Sequence, residues 1–161
     1  MFERQAWMQR AGEYPESDQE YFALLSRAVF SAGLGPRVVE SRWQEVRASF
    51  RDFQPAAVWQ MQQSDVESML VDPKVIRNRR KIEAVIGNAS VFLDLSEQFQ
   101  SFHLYLVQLG ASKDLEVAAD TLSRTFAHLG RTSALFFLFS AGWRAPGQEV
   151  GSEVFVKPAV R

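Results

Sequence analysis

Along most of the chain the apolar positions recur with a helical period. Tyr21, Leu24, Leu25, Ala28, Val29 and Ala32 follow the i, i+3, i+4, i+7 spacing of one apolar helix face. Pro36 suits the first turn of the next helix, where a missing N–H costs nothing, and Val39, Trp43, Val46 and Phe50 supply its apolar side. Ser64-Asp65-Val66-Glu67 reads as a capping box opening a short helix through Leu70. Pro73 suits the opening of a longer helix with Ile82, Val85, Ile86, Ala89 and Phe92 on its apolar face. Ser96 is expected to cap a helix through Leu109, and residues 112–125 predict another. Residues 132–141 predict a very apolar helix that has to be buried. Glu16, Asp18 and Glu20, like Asp114 and Glu116, read as helix N-terminal charges that favour the dipole. The only short extended candidate is residues 154–156, in the tail. Seven or eight helices joined by short turns predict an all-α fold. No turn resembles an inter-domain linker, so a single domain over residues 1–161 is expected.

Composition supports a packed core: 47% of the 161 residues are hydrophobic, including 13 Phe and 4 Trp. The chain has no cysteine, which excludes disulfides, thiolate nucleophiles and Cys-ligated metals, and two histidines make a structural zinc improbable. No metal and no cofactor are expected. The N-terminus lacks the basic start and apolar run of a signal peptide. The longest apolar run, residues 134–139, is far shorter than the roughly 20 residues of a membrane span. A cytoplasmic protein with no membrane partner, monomeric by default, is therefore expected. The net charge of −1 is unlike that of a dedicated non-specific nucleic-acid binder, although local patches matter more than the sum.

Two stretches carry a resemblance. The first holds Phe53-Gln54-Pro55, Val58, Met61, Asp65-Val66-Glu67, Leu70, Asp72, the run from Val75 to Ile82, Ala84-Val85-Ile86 and Asn88-Ala89. The second is Tyr21-Phe22-Ala23-Leu24-Leu25 followed by Ala32-Gly33-Leu34. Together they are similar to the signature of the 3-methyladenine DNA glycosylase I family, within the helix-hairpin-helix glycosylase superfamily. Glu3-Arg4-Gln5-Ala6-Trp7 resembles that family's opening, with Gln5 in place of a cysteine, and Phe126-Ala127-His128-Leu129-Gly130 resembles its hairpin. The resemblance implies excision of alkylated purines from double-stranded DNA by N-glycosidic hydrolysis, in base-excision repair. It implies Leu34 as the residue inserted where the base leaves the stack, Gly33 as a point of close approach, and Trp7 beside the base. It further implies that the hairpin, through His128, Gly130, Arg131 and Thr132, meets a phosphate at the helix N-terminus.

The departures are as specific as the matches. Ala28 stands where the family reads the base with a glutamate, and Pro36 where a tryptophan stacks on it. A segment carrying a stacking tyrosine and a zinc histidine is missing between Trp7 and Pro15, and the C-terminal zinc ligands have no counterpart after Trp143. Tyr14 and Glu13, in the shortened turn, are candidates to refill the pocket. Glu149 falls near the position of a superfamily catalytic aspartate, where a carboxylate would stabilise an oxocarbenium-like sugar or orient water. Each has a plainer reading: Trp7 as an N-terminal anchor, Leu34 as a turn residue, Glu13, Tyr14 and Glu149 as surface, His103 and His128 as structural histidines. Arg77-Asn78-Arg79-Arg80-Lys81 places four cations in five positions, either as a phosphate patch or as a solvated helix turn. The alternative function is a catalytically inactive relative that binds DNA or a protein; a pocket adapted to another small ligand is a third.

Overall fold

A computed structural model describes residues 4–144. Among these residues there are eight α-helices and no strand. They are α1 (Asp18–Ser31), α2 (Pro36–Ser49), α3 (Pro55–Trp59), α4 (Gln63–Leu70), α5 (Arg79–Gln98), α6 (Phe102–Gln108), α7 (Leu115–Thr125) and α8 (Arg131–Ser140). The all-α expectation holds. The short extended candidate at residues 154–156 and the tail lie outside the described residues.

α1 is the central element. It packs against α8, α5, α2 and α6, and its buried side chains include Tyr21, Phe22, Leu25, Val29 and Phe30. An aromatic chain links the layers: Phe22 lies 5.1 Å from Phe92, Phe92 stacks on Phe102 at 4.2 Å, and Phe102 meets the edge of Phe137 at 6.3 Å. Each such ring, fully buried, contributes about 1.5–3 kcal/mol relative to exposure. The apolar run at 134–139 is α8, with Phe137 and Leu138 fully buried.

Three boundaries differ from the sequence reading, each because a better cap won. α4 is capped by Gln62, whose backbone N–H donates to Asp65 Oδ2 at 2.7 Å, so the box begins two residues before Ser64. α5 opens at Arg79, where Asn78 Oδ1 accepts from Lys81 N; Pro73 lies in the preceding turn. α5 runs on past Ser96 to Gln98, and α6 is capped by Ser101, whose hydroxyl accepts from Leu104 N.

Between α2 and α3 the chain makes one turn, Arg51–Phe53, in which all three residues have positive φ (56°, 58° and 55°). Non-glycine residues avoid this region because Cβ crowds the carbonyl. Here the turn is held by Arg47, which pairs with both Glu20 (2.5 Å) and Asp52, and by Phe53, stacked between Phe50 (5.3 Å) and Trp43 (5.2 Å).

The N-terminal segment is clasped to the end of α8. Gln9 N donates to Ser140 O and Gly12 N to Gly142 O, both at 2.9 Å. Gly142 has φ +95°, and a Cβ there would lie 2.9 Å from Arg10 O and closer still to Glu13 O. Only glycine admits that approach. Tyr14 covers the clasp, its ring 4.5 Å from that of Trp143.

Candidate DNA-facing loops and base pocket

The turn between α1 and α2 presents Leu34. Ser31 O accepts from both Leu34 N (3.3 Å) and Gly35 N (2.9 Å), which reverses the chain. Gly33 and Gly35 take φ of +83° and +89°, so the glycines on either side of Leu34 are conformationally required. Leu34 itself is 39% exposed, unlike the core leucines. The loop is braced from α5: Lys81 Nζ donates to Ala32 O.

The turn between α7 and α8 is anchored by Phe126 and Leu129, both buried, and exposes His128 at φ 55°. Gly130 is the N-cap of α8 and offers no side-chain cap, so the N–H groups of the first turn point outward beside exposed Arg131 and Thr132. Such an end favours an anion. Arg131 is paired with Glu116 of α7 at 2.5 Å. The buried amide of Asn88, on α5, fixes this turn by exchanging two hydrogen bonds with the backbone of Ala127.

Lys81 and Asn88 are seven residues apart on α5. Two helical turns bring them to the same face, about 10 Å apart along the axis. α5 thus sets the spacing between the Leu34 loop and the hairpin. Sequence reading placed Lys81 in a charge cluster and Asn88 in a signature, without these roles. The cluster itself is divided: Arg79 pairs with Glu67 (2.6 Å) and Glu83 (3.4 Å), Lys81 is taken by the loop, and Arg77 and Arg80 stand exposed.

The three residues assigned to the base pocket have different surroundings. Ala28 is buried in α1, and its methyl offers no polar atom. Trp7 packs edge-on to Phe136 at 6.1 Å, and its face carries the guanidinium of Arg27 at 3.6 Å. Tyr14 lies instead in an open cleft of about 520 Å³ with Pro15, Asp18, Tyr21 and His103. There the Tyr21 hydroxyl and His103 Nδ1 share a hydrogen bond of 2.7 Å; burial raises the Tyr21 phenol and lowers the His103 imidazole. Glu13 is exposed, and Glu149 lies outside the described residues.

The residue the sequence reading missed is Arg27. It is 4% exposed, its guanidinium lies between Trp7 and Trp43 (4.9 Å), and its Nε and Nη2 have no hydrogen-bond partner. Burial pushes its pKa down to about 10, against a weaker upward pull from Glu40. The signal was a lone arginine inside the apolar stripe from Tyr21 to Ala32.

The zinc that the resemblance implies does not fit these residues. The chain has no cysteine, His103 is engaged with Tyr21, and among the described residues no three His, Asp or Glu side chains converge. The clasp at Gly142 supplies a closure of the N-terminus that needs no metal.

A glycine-flanked leucine turn and an uncapped hairpin helix are thus both tied to one long helix. The chain belongs to the methyladenine glycosylase family, whose sequence profile it matches over residues 5–144. It is 36% identical to DNA-3-methyladenine glycosylase 1 of Escherichia coli over 89 residues, which are 55% of this chain and 48% of that protein. Over 89 residues it is 28% identical to the DNA-3-methyladenine glycosylase of Haemophilus influenzae, again 48% of that protein. The aligned part thus spans about half the length of these relatives. The 3-methyladenine DNA glycosylase I of Staphylococcus aureus, solved to show how it recognises 3-methyladenine, superposes with a TM-score of 0.74 at 25% identity, covering 84% of this chain and 82% of that one.

Proposed function

We propose that this chain is a DNA-3-methyladenine glycosylase I-like protein of base-excision repair, which takes a damaged purine out of double-stranded DNA and cleaves its N-glycosidic bond. The observation that carries the reading is the pairing of Leu34 and the α8 N-terminus on one ruler, α5, through Lys81 and Asn88. Family membership over residues 5–144 supports it. Leu34 and Gly33 enter the duplex at the extruded base; the first turn of α8, with His128, Gly130, Arg131 and Thr132, holds a phosphate. Flipping costs a few kcal/mol and least for a damaged base. In the reaction the C1′–N bond breaks with its electron pair on the departing base, water oxygen adds to C1′, and the water proton passes to a base or to solvent. An alkylated, positively charged base leaves readily, so positioning and electrostatics can suffice. Glu149 and Glu13 are the carboxylates offered for orienting that water. A single domain over residues 1–161, acting as a monomer in the cytoplasm without metal or cofactor, completes the reading. Among the described residues no helix is long and apolar enough to cross a membrane.

One observation favours the inactive relative as a second reading: the face of Trp7 is covered by Arg27, and the adjacent residue in α1 is the apolar Ala28. Release of free base from methylated duplex DNA, followed by chromatography with protein in excess, decides between them. Release supports the enzyme. No release, with retained binding to abasic-site duplex, supports the inactive DNA binder.

A further inference from the structure

The guanidinium of Arg27 is a planar cation held between two aromatic walls, 3.6 Å from the centre of the Trp7 ring and 4.9 Å from that of Trp43. The contact is favourable through the flat faces of the group. Its edge is not served: Nε and Nη2 are buried without a hydrogen-bond partner, and so is Trp7 Nε1. A buried donor left so costs roughly 1–3 kcal/mol, more when charged. That cost narrows the gap to a second arrangement, in which the guanidinium is hydrated. A route to it exists. Trp7 and Trp43 are only partly buried, so the slot between them reaches the surface. Glu40 is exposed, lies three residues before Trp43 on the same side of α2, and attracts the guanidinium. The walls do not depend on Arg27: Trp43 is stacked on Phe53 at 5.2 Å and 13°, and Trp7 is braced by Phe136. The slot also adjoins the Leu34 loop. Arg27 O accepts from Ser31 Oγ at 2.8 Å, and Ser31 O, one helical turn further on, anchors the Leu34 turn.

We propose that the slot between Trp7 and Trp43 is the base site, closed in this structure by Arg27, whose guanidinium stands where the base stacks and swings out to Glu40 as the base enters. The inference rests on the glycosylase reading for the claim that a base arrives, and on Arg27, Trp7 and Trp43 for where it goes. A slot that holds one planar cation between indole faces suits another, and an alkylated, positively charged purine is one. Base and guanidinium exclude each other, so the room for the base is the room Arg27 vacates. The two cations do not meet in the slot, because the arginine is then in water and paired with Glu40. Apparent affinity for a base is lowered by the fraction of molecules in which Arg27 is in. The covered face of Trp7 is on this account a closed state of the site.

The test uses the full chain and two nucleosides: 1-methyladenosine, cationic at neutral pH, and neutral adenosine. Indole N–H signals of Trp7 and Trp43 are followed by NMR during titration, alongside binding to an abasic-site duplex. Arg27→Ala empties the slot and is expected to bind both nucleosides about tenfold more tightly than the wild type, the factor by which a closed fraction of about 90% holds affinity down. Arg27→Met removes the charge but keeps the slot partly filled, and is expected to fall between. Glu40→Gln removes the outward partner. It is expected to weaken 1-methyladenosine binding in the wild type and to change nothing in the Arg27→Ala background; a Glu40 that acted on the nucleoside directly would show in both. An Arg27→Ala gain confined to 1-methyladenosine is charge repulsion and overturns the displacement. So does the absence of a gain in both Arg27 variants, or binding that moves neither indole. Should Arg27→Ala fail to fold, Arg27→Met and the wild-type Glu40→Gln result decide in the same directions. Expected nucleoside results without abasic-duplex binding sink the DNA reading alone; abasic-duplex binding without a nucleoside gain sinks this proposal alone.

Discussion

Asn88 and Ala127 exchange a pair of hydrogen bonds across 39 residues of chain: Asn88 Nδ2 donates to Ala127 O at 3.1 Å, and Ala127 N donates to Asn88 Oδ1 at 2.8 Å. A side-chain amide thus substitutes for a backbone partner and fastens the hairpin to α5. Asn88 is 3% exposed. Asn88→Ala removes both hydrogen bonds to the Ala127 backbone and is expected to cost about 2 kcal/mol. Chemical denaturation measures that loss. Affinity for abasic duplex should fall with it, since the α8 N-terminus loses its fixed position; unchanged affinity in the folded variant would separate the hairpin from DNA binding.

How much of this was legible in the sequence can be read from particular residues. The periodic stripe from Tyr21 to Ala32 gave α1, and the apolar run around Phe137 gave the buried α8, because burial patterning is local. The caps at Gln62, Asn78 and Ser101 were misplaced because several polar residues near each start could serve, and tertiary packing chose among them. Leu34 and the hairpin were legible through resemblance. Arg27 was not, because nothing in a linear chain shows that Trp7 and Trp43 will meet over it. The jobs of Lys81 and Asn88 were hidden for the same reason: each partner is a backbone carbonyl or amide at least 39 residues away.

The clasp makes a prediction about two glycines. Gly142→Ala must place a Cβ against Arg10 O and Glu13 O in a left-handed conformation. It is expected to destabilise the fold by about 3 kcal/mol and to speed hydrogen exchange at Gly12 N, whose acceptor is Gly142 O. Gly87 is the contrasting case: exposed within α5, with nothing within 4 Å of an added Cβ. Gly87→Ala should stabilise by roughly 0.5–1 kcal/mol. Equal effects of the two substitutions would refute the clasp as the closure of the N-terminus.

His103 gives the pH dependence. Burial lowers its pKa below the usual value of 6.5, so at moderately acid pH the unfolded chain binds a proton that the folded chain does not. Stability is then fully present above about 6.5 and falls with pH until the folded-state pKa is passed. Tyr14, Tyr21 and Trp143 pack around the ring, and Glu16 and Asp18 line the same cleft. Melting temperatures of the wild type and His103→Gln, measured from pH 7.5 down to pH 5, should diverge in slope, with the variant flatter. Parallel curves would show that His103 does not titrate on unfolding.

Leu34 is exposed in the free protein, so its removal should leave the fold almost untouched. Inserted into a base stack, the same side chain buries its isobutyl group, at about 0.8 kcal/mol per methylene. Leu34→Ala is therefore expected to weaken binding to abasic duplex about tenfold, which corresponds to 1.4 kcal/mol, with an unchanged melting temperature. Lys81→Met adds the mechanical half of the argument. It removes the donor to Ala32 O while keeping most of the aliphatic stem, so the loop should loosen and the affinity fall with Leu34 still present. Loss of a positive charge near DNA could mimic that result. The two causes separate by salt: a lost phosphate contact lowers the slope of log affinity against log salt by about one, whereas a loosened loop lowers affinity equally at every salt concentration. A reduced slope would make Lys81 a phosphate contact, and an unchanged slope would make it the brace of the Leu34 loop.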